Sequence, residues 1–258
     1  MAEQPESEQL WQRLRQFTNA RIGLGRVGDG LPTKAHLAFQ QDHALARDAV
    51  HAQVDFAALA SAVQAEFPHI LRLKSAAVDR ASYLKRPDLG RMLDADSRQQ
   101  LETLQSAPAT IALVVADGLS AVAIERHAAP LLKLIKPQLS ELGWSLAPLS
   151  LVEQGRVAIG DEIGELLRAE LVVILIGERP GLSVADSLGM YLTYAPQRGR
   201  NDAERNCISN IHPQGLSYAS ASELLVYLLG QARQRRLTGV GLKDERQRLS
   251  QPTNPSLE

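Results

Sequence analysis

Leu171-Val172-Val173-Ile174-Leu175-Ile176-Gly177-Glu178-Arg179-Pro180-Gly181 is the stretch that decides the fold class. Six apolar residues, four of them β-branched, run into a turn carrying a carboxylate and a guanidinium. An unbroken apolar run this short reads as a strand buried on both faces, the habit of parallel sheets. Gly177, Pro180 and Gly181 end it, because proline lacks a ladder donor and glycine tolerates tight turns. Ligands of open α/β sheets sit beyond the carboxyl ends of the strands, and Glu178 and Arg179 stand there. Two readings are open: these side chains face a ligand, or they form a solvated ion pair on a loop.

Working outward, residues 111–115 form another apolar run, ending at Asp117-Gly118, and residues 146–152 a further candidate strand. Between them a helical stretch covers 120–142, with Ser120 as its cap and Pro130 expected to kink or break it. Gly155 leads to a helix over about 161–169, its Asp161 and Glu162 at the positive dipole end. Downstream, 191–194 and 206–211 read as shorter strands. Ser220 with Glu223 reads as a capping box before a last helix whose apolar face holds Leu224, Leu225, Leu228 and Ala232. Strands alternating with helices predict an α/β, Rossmann-like, doubly wound, mostly parallel sheet over residues 108–245.

Residues 1–107 read as a mostly helical region without a convincing strand. Leu10, Trp11, Leu14 and Phe17 fall at helical spacing, and Thr33 is placed to cap a helix over about 34–51. Phe56, Leu59, Ala60, Val63 and Phe67 form an amphipathic helix stopped by Pro68. Residues 82–91 read as an ordered loop, and Ser97 with Gln100 as a capping box opening a helix to about residue 105. Residues 246–258, polar and carrying Pro252 and Pro255, are expected to be a disordered tail.

Composition narrows the function classes. The 258 residues carry 28 basic and 29 acidic side chains, so no basic excess points to nucleic acid or an anionic membrane. Cys207 is the only cysteine, which rules out an intrachain disulfide and a thiolate zinc cluster and suits a reducing cytoplasm. No apolar run approaches the roughly 20 residues of a membrane helix, and residues 1–9 are polar and acidic, unlike a signal peptide.

Catalytic patterns fail in turn. Residues 23–28 spell Gly-x-Gly-x-x-Gly, but a helix precedes them and Leu31-Pro32-Thr33 delays the next one, so a flexible or partner-contacting loop is the better reading. No His-Glu-x-x-His pair exists for a metal, and His36, His43 and His51 belong on the wet side of a helix. Ser120 lies outside any Gly-x-Ser-x-Gly elbow, and no Walker loop is present. No residue is assigned as catalytic or as a metal ligand. Two segments remain besides Glu178 and Arg179: 155–160, between a strand and a helix, and 206–215, which mixes small polar side chains with a turn. Cys207 in the latter reads first as a small buried hydrophobe.

Taken together these segments resemble the small subunit of ethanolamine ammonia-lyase, over about residues 14–239. The resemblance rests on residues 116–120, Gly155-Arg156-Val157, residues 161–165, Gly177-Glu178-Arg179-Pro180-Gly181 and residues 207–212. Residues 83–91, and Arg26 with Pro32-Thr33, match in the helical half. It implies a lyase subunit in the conversion of ethanolamine to acetaldehyde and ammonia by a radical route with adenosylcobalamin. A large-subunit partner holds the substrate in such a hetero-oligomer, and this chain closes over the corrin. Carried over by motif, the cofactor-contacting residues are Val157, Glu178 and Cys207. Val157 would give apolar contact to the corrin, Glu178 would accept hydrogen bonds from its amide or ribose groups, and Cys207 would fit closely against the macrocycle. Asn210-Ile211-His212-Pro213-Gln214-Gly215 departs by one residue from the Asp-x-His-x-x-Gly motif of proteins whose histidine ligates cobalt. The resemblance implies that benzimidazole stays on cobalt, so His212 is not assigned as a ligand. Members packaged in a bacterial microcompartment can carry a longer N-terminal extension; here the first helix begins near Gln9, which speaks against encapsulation. Two other readings compete: a stand-alone nucleotide-dependent α/β enzyme, and a purely structural subunit.

Overall fold

Strands whose alternate residues are all apolar need cover on both faces, and the computed structural model, which describes residues 6–18, 20–104 and 106–246, supplies it. The elements in order are α1 (Glu6–Arg15), α2 (Thr33–His51), α3 (Phe56–Val63), β1 (Ile70–Lys74), α4 (Arg80–Lys85), α5 (Ala95–Leu104) and β2 (Ala109–Ala116). They continue with α6 (Ala121–Glu141), β3 (Leu149–Glu153), α7 (Ile159–Leu166), β4 (Ala169–Gly177), β5 (Leu188–Tyr194), β6 (Asn206–Ile211) and α8 (Tyr218–Arg235). Among the described residues the strands form one six-stranded sheet in the order β1-β3-β2-β4-β5-β6. Ile111, Leu113 and Val115 of β2 and Leu171, Val173 and Leu175 of β4 face a core with α3, α6 and α8. The intervening Ala112, Val114, Val172 and Ile174 face a second core with α5 and α7.

The α/β class stands, and the expected Rossmann-like, mostly parallel sheet is met only in part, because the sheet is mixed. The β1–β3, β3–β2 and β2–β4 pairs are parallel, whereas β4–β5 and β5–β6 are antiparallel. The connections dictate this. Residues 178–187 join β4 to β5, which is shorter than the dozen or more residues a crossover needs. β2 leaves the sheet toward α6 on one face and its neighbour β3 toward α7 on the other. That reversal opens a crevice at the carboxyl ends of β2 and β3.

The strandless reading of the first 107 residues is also corrected. Ile70-Leu71-Arg72-Leu73-Lys74 is the edge strand β1, in register with 149–153. Its Arg72 and Lys74 are exposed and reach Glu153 at 3.6 and 3.5 Å. Residues 82–91 are not a plain loop, since α4 occupies their start and a 3-10 turn covers Leu89–Arg91. Several caps shift as well. Thr33 is the first residue of α2 and makes no cap bond; Pro32 precedes it. Asp94 accepts the Ser97 N–H at 2.8 Å, while the Ser97 hydroxyl accepts the Lys74 N–H, so Ser97 ties α5 to β1 instead of capping. α8 opens at Ser217, whose hydroxyl accepts the Ser220 N–H at 3.1 Å. Ser120 caps α6 as expected, accepting from Ala123 N at 3.2 Å. α6 runs through both Pro130 and Pro137; burial of Leu131, Leu132, Ile135 and Leu139 against the sheet outweighs the lost backbone bonds. The expectations for residues 1–5 and 247–258 lie outside the described residues.

β4 ends where two turns meet. Gly118, at φ +60°, donates no side chain into the gap, and the Leu119 N–H bonds to the Gly177 carbonyl at 2.9 Å. A Cβ on Gly177 would collide with the Ser120 carbonyl and lie 2.7 Å from that of Asp117. Gly177→Ala is therefore expected to lower stability by about 1–3 kcal/mol or more, since packed backbone cannot yield. Urea denaturation with an unchanged midpoint would contradict this contact.

Candidate functional site

Burying a carboxylate is costly unless donors surround it, and the crevice between β2 and β3 is built on one. Asp117 accepts the Gly155 N–H at 3.1 Å, stitching the end of β2 to the turn after β3. Arg80 of α4 lies 3.5 Å from the same carboxylate and donates to the Gly118 carbonyl at 2.8 Å and the Val50 carbonyl at 2.7 Å. Tyr83 lies between two guanidiniums, Arg80 at 4.8 Å and Arg156 at 4.3 Å from its ring centre, and its hydroxyl donates to the Gly155 carbonyl at 3.0 Å. The segment around Gly155-Arg156 is thus clamped from the N-terminal half, whose Gly90 carbonyl also accepts the Arg156 N–H at 2.7 Å.

Above this clamp lie two adjoining cavities that share Arg156, Val157 and Tyr191 as walls. One, of about 290 Å³, is closed by Gly118, Glu178 and Arg179. The other, of about 390 Å³, is closed by Pro87, Arg91, Arg205 and Cys207. Val157 therefore stands in one trough between Glu178, at the carboxyl end of β4, and Cys207, which lies near the start of β6 and level with Ile174 in mid-sheet. Cys207 is there because β6 pairs with β5, setting it opposite Tyr191.

Glu178 does not pair with Arg179, which is exposed. Its carboxylate accepts from the Ser187 hydroxyl and from the Asn210 N–H at 3.2 Å, joining the β4 and β6 ends. Cys207 is exposed rather than buried, yet the surrounding protein raises its thiol above the ordinary range, the Glu178 charge adding to this and a hydrogen bond with Tyr191 opposing it. Burial and the Cys207 contact likewise raise the Tyr191 phenol. Both groups are thus neutral near pH 7 and offer weak donors, not nucleophiles. His212 is buried with its Nε2 2.9 Å from Asn210 Oδ1, held by its own turn. Residues 23–28 precede α2 without a preceding strand, consistent with rejecting the dinucleotide reading. His36, His43 and His51 are exposed. Among the described residues no cluster could hold a metal ion, and no helix is long and apolar enough to cross a membrane.

Pattern reading missed Tyr191, Arg91 and Arg156 as walls of this trough. Tyr191 shares its strand with a second tyrosine, Tyr194, so the residue type alone did not single it out; the arginines lie inside segments already singled out but were given no role.

Asp117 offers a pH test. Burial pushes its carboxyl up to about 6 from 3.8, against the lowering effects of Arg80 and the neighbouring backbone N–H groups. Between those values the folded chain keeps a proton that the unfolded chain releases, so its contribution to stability falls as pH rises. Relative to Asp117→Asn, the wild-type chain should lose about 1–3 kcal/mol between pH 4 and 6. Parallel unfolding curves for the two proteins across that window would refute the shift.

The comparisons with known proteins bear on the whole of this architecture. Residues 8–243 match the model of the ethanolamine ammonia-lyase light chain family. An ethanolamine ammonia-lyase small subunit of Azotobacter vinelandii is 57% identical over 244 residues, covering 93% of this chain and 90% of that protein. The protein of that name from Pseudomonas syringae pv. tomato is 56% identical, over 92% of this chain and 84% of its own length. One from Ralstonia nicotianae is 57% identical, over 91% and 88%. With a matched model spanning nearly the whole chain and relatives this similar along most of their length, the chain belongs to the ethanolamine ammonia-lyase small-subunit family.

Proposed function

We propose that this chain is the small subunit of an adenosylcobalamin-dependent ethanolamine ammonia-lyase, working in the cytoplasm and closing over the cofactor while a large subunit holds ethanolamine. The observation that carries the reading is that Val157, Glu178 and Cys207 line two adjoining cavities that share Val157, running from the carboxyl end of β4 to the start of β6. In this reading the parallel half of the sheet, β1 to β4, serves as a Rossmann-like platform, and the antiparallel β5 and β6 extend it as a ledge.

The residues present fit the group. A corrin is a broad, partly apolar disc rimmed with amide donors and tailed by a phosphate and a nucleotide. Val157, Tyr191 and Leu119 give apolar surface, Glu178 gives an acceptor and Arg91 and Arg156 give donors. The bound cofactor supplies the radical chemistry. This chain positions and excludes water: Val157 packs, Glu178 accepts from an amide or hydroxyl of the cofactor, and Cys207 allows close approach. The elevated Cys207 and Tyr191 protons keep the wall free of added negative charge beside Glu178.

Co-expression with a family large subunit is the direct test: a cobalamin-dependent deaminase requiring both chains is expected, and turnover by the large subunit alone would overturn the reading. Because the trough is open on this chain, the isolated subunit should bind adenosylcobalamin much more weakly than the complex, measured by the visible absorbance of the corrin. Equal affinity would argue against a site completed by the partner.

Glu178 is the sharpest probe within the site. Glu178→Ala should weaken the complex's affinity for adenosylcobalamin about 10- to 150-fold, the value of a hydrogen bond to a charged group. Glu178→Gln, whose carbonyl still accepts, should lose less. Unchanged affinity in Glu178→Ala would remove the contact from the proposal.

A further inference from the structure

Three guanidiniums, those of Arg91, Arg156 and Arg205, line the cavity that ends at Cys207, against a single carboxylate, Asp202. Arg205 is already neutralised: it pairs with buried Asp161, and with Asp202 at 2.7 Å. Arg156 and Arg91 have no carboxylate partner among the described residues. The Arg156 guanidinium lies over the Tyr83 ring, 4.3 Å from its centre, and donates from one amine to the Tyr83 carbonyl at 3.2 Å, while its Nε is buried with no acceptor among the described residues. A buried guanidinium donor left unpaired is costly, and it has been oriented by its stacking before any ligand arrives. Planar donors of this kind suit a phosphate group, because two N–H groups can meet two oxygens.

We infer that Arg156, assisted by Arg91, is a phosphate-recognition site in the trough, the phosphate being carried either by the nucleotide loop of the corrinoid or by a free nucleotide. The first source rests on the function proposed above; the second would belong to the competing nucleotide-enzyme reading. Placement favours the first. Arg156 adjoins Val157 on the wall the two cavities share, so a ligand lying along the Val157–Tyr191 surface would meet apolar contact and a cationic donor side by side, with Arg91 farther along the Cys207 cavity.

The test uses the complex with a large subunit and three probes: adenosylcobalamin, cobinamide (the same corrin without phosphate and nucleotide) and ADP. Arg156→Gln should lower affinity for adenosylcobalamin about 10- to 150-fold and leave cobinamide affinity unchanged, whereas Arg156→Lys should recover part of the loss. Arg91→Gln, altering an exposed side chain with little risk to folding, should act in the same direction with smaller size, and it carries the test if Arg156→Gln fails to fold. Saturable ADP binding that is lost in Arg156→Gln would keep the phosphate site and assign it to a free nucleotide. Equal losses for both corrinoids, or no loss for either with no ADP binding, would overturn the phosphate assignment while leaving the corrin site standing. A wild-type complex that bound neither corrinoid would overturn the corrin reading; if it also failed to bind ADP, the phosphate site would fall with it.

Discussion

The Asp117 carboxylate, buried at the crossing of two strand ends, is the constraint on which the rest of this structure depends. Its bond to the Gly155 N–H sets the turn after β3 beside the turn after β2. A carboxylate in that position demands a cation, and Arg80 answers from the N-terminal half, reaching the Val50 and Gly118 carbonyls with its remaining donors. One buried charge therefore recruits α4, the end of α2 and both central strand ends into a single polar knot. The pair is not evidence of high stability, since desolvation cancels much of its attraction. Its value is positional: the backbone of Gly155-Arg156-Val157 is held by the Asp117 carboxylate, by the Tyr83 hydroxyl and by the Gly90 carbonyl.

That knot explains why glycines occur where they do at this edge. Gly155 sits so close to Ala116 that a Cβ would come within 2.8 Å of that methyl, and Gly90 so close that a Cβ would lie 2.7 Å from the Arg156 side chain. The small residues let the Leu89–Arg91 turn lie directly on the strand-end turn. The N-terminal region is consequently part of the site wall, contributing Tyr83, Pro87 and Arg91.

What was legible in the sequence follows from the length and uniformity of each signal. β2 and β4 were plain because both their faces are buried, which makes continuous apolar runs, and Ser120 was plain because it precedes a long helix. β1 was not: in Ile70-Leu71-Arg72-Leu73-Lys74 an edge strand shows only five residues, two of them charged and turned to solvent, a pattern too short to separate from a helix turn. The direction of β5 and β6 could not be read from their composition either, since antiparallel and parallel strands bury the same residue types; the short link 178–187 was the usable clue. Ser97 misled because a serine followed by glutamine three residues on fits a cap, while its real partner, the Lys74 N–H, is 23 residues away. For the candidate site, the family resemblance named Val157, Glu178 and Cys207, which line adjoining cavities, while Tyr191 becomes visible only once β5 is paired between β4 and β6.

The antiparallel extension is what turns a strand-end crevice into a trough. With a purely parallel continuation, the chain leaving Gly177 would climb over one face of the sheet, and nothing would stand beside Glu178 at the carboxyl edge. The reversal into β5 instead brings Ser187 back to Glu178, and the second reversal brings Asn210 to it as well. Asn210 adopts φ 62°, a left-handed conformation that asparagine tolerates better than most residues, which lets its N–H turn toward the carboxylate. Two hairpin returns thus fix one acceptor, and the same pairing places Tyr191 and Cys207 along the wall next to Val157. The mixed sheet therefore shapes the candidate site: the parallel strands supply β3 and β4 with the turns that follow them, and the antiparallel pairs supply Tyr191 and Cys207 on the facing wall.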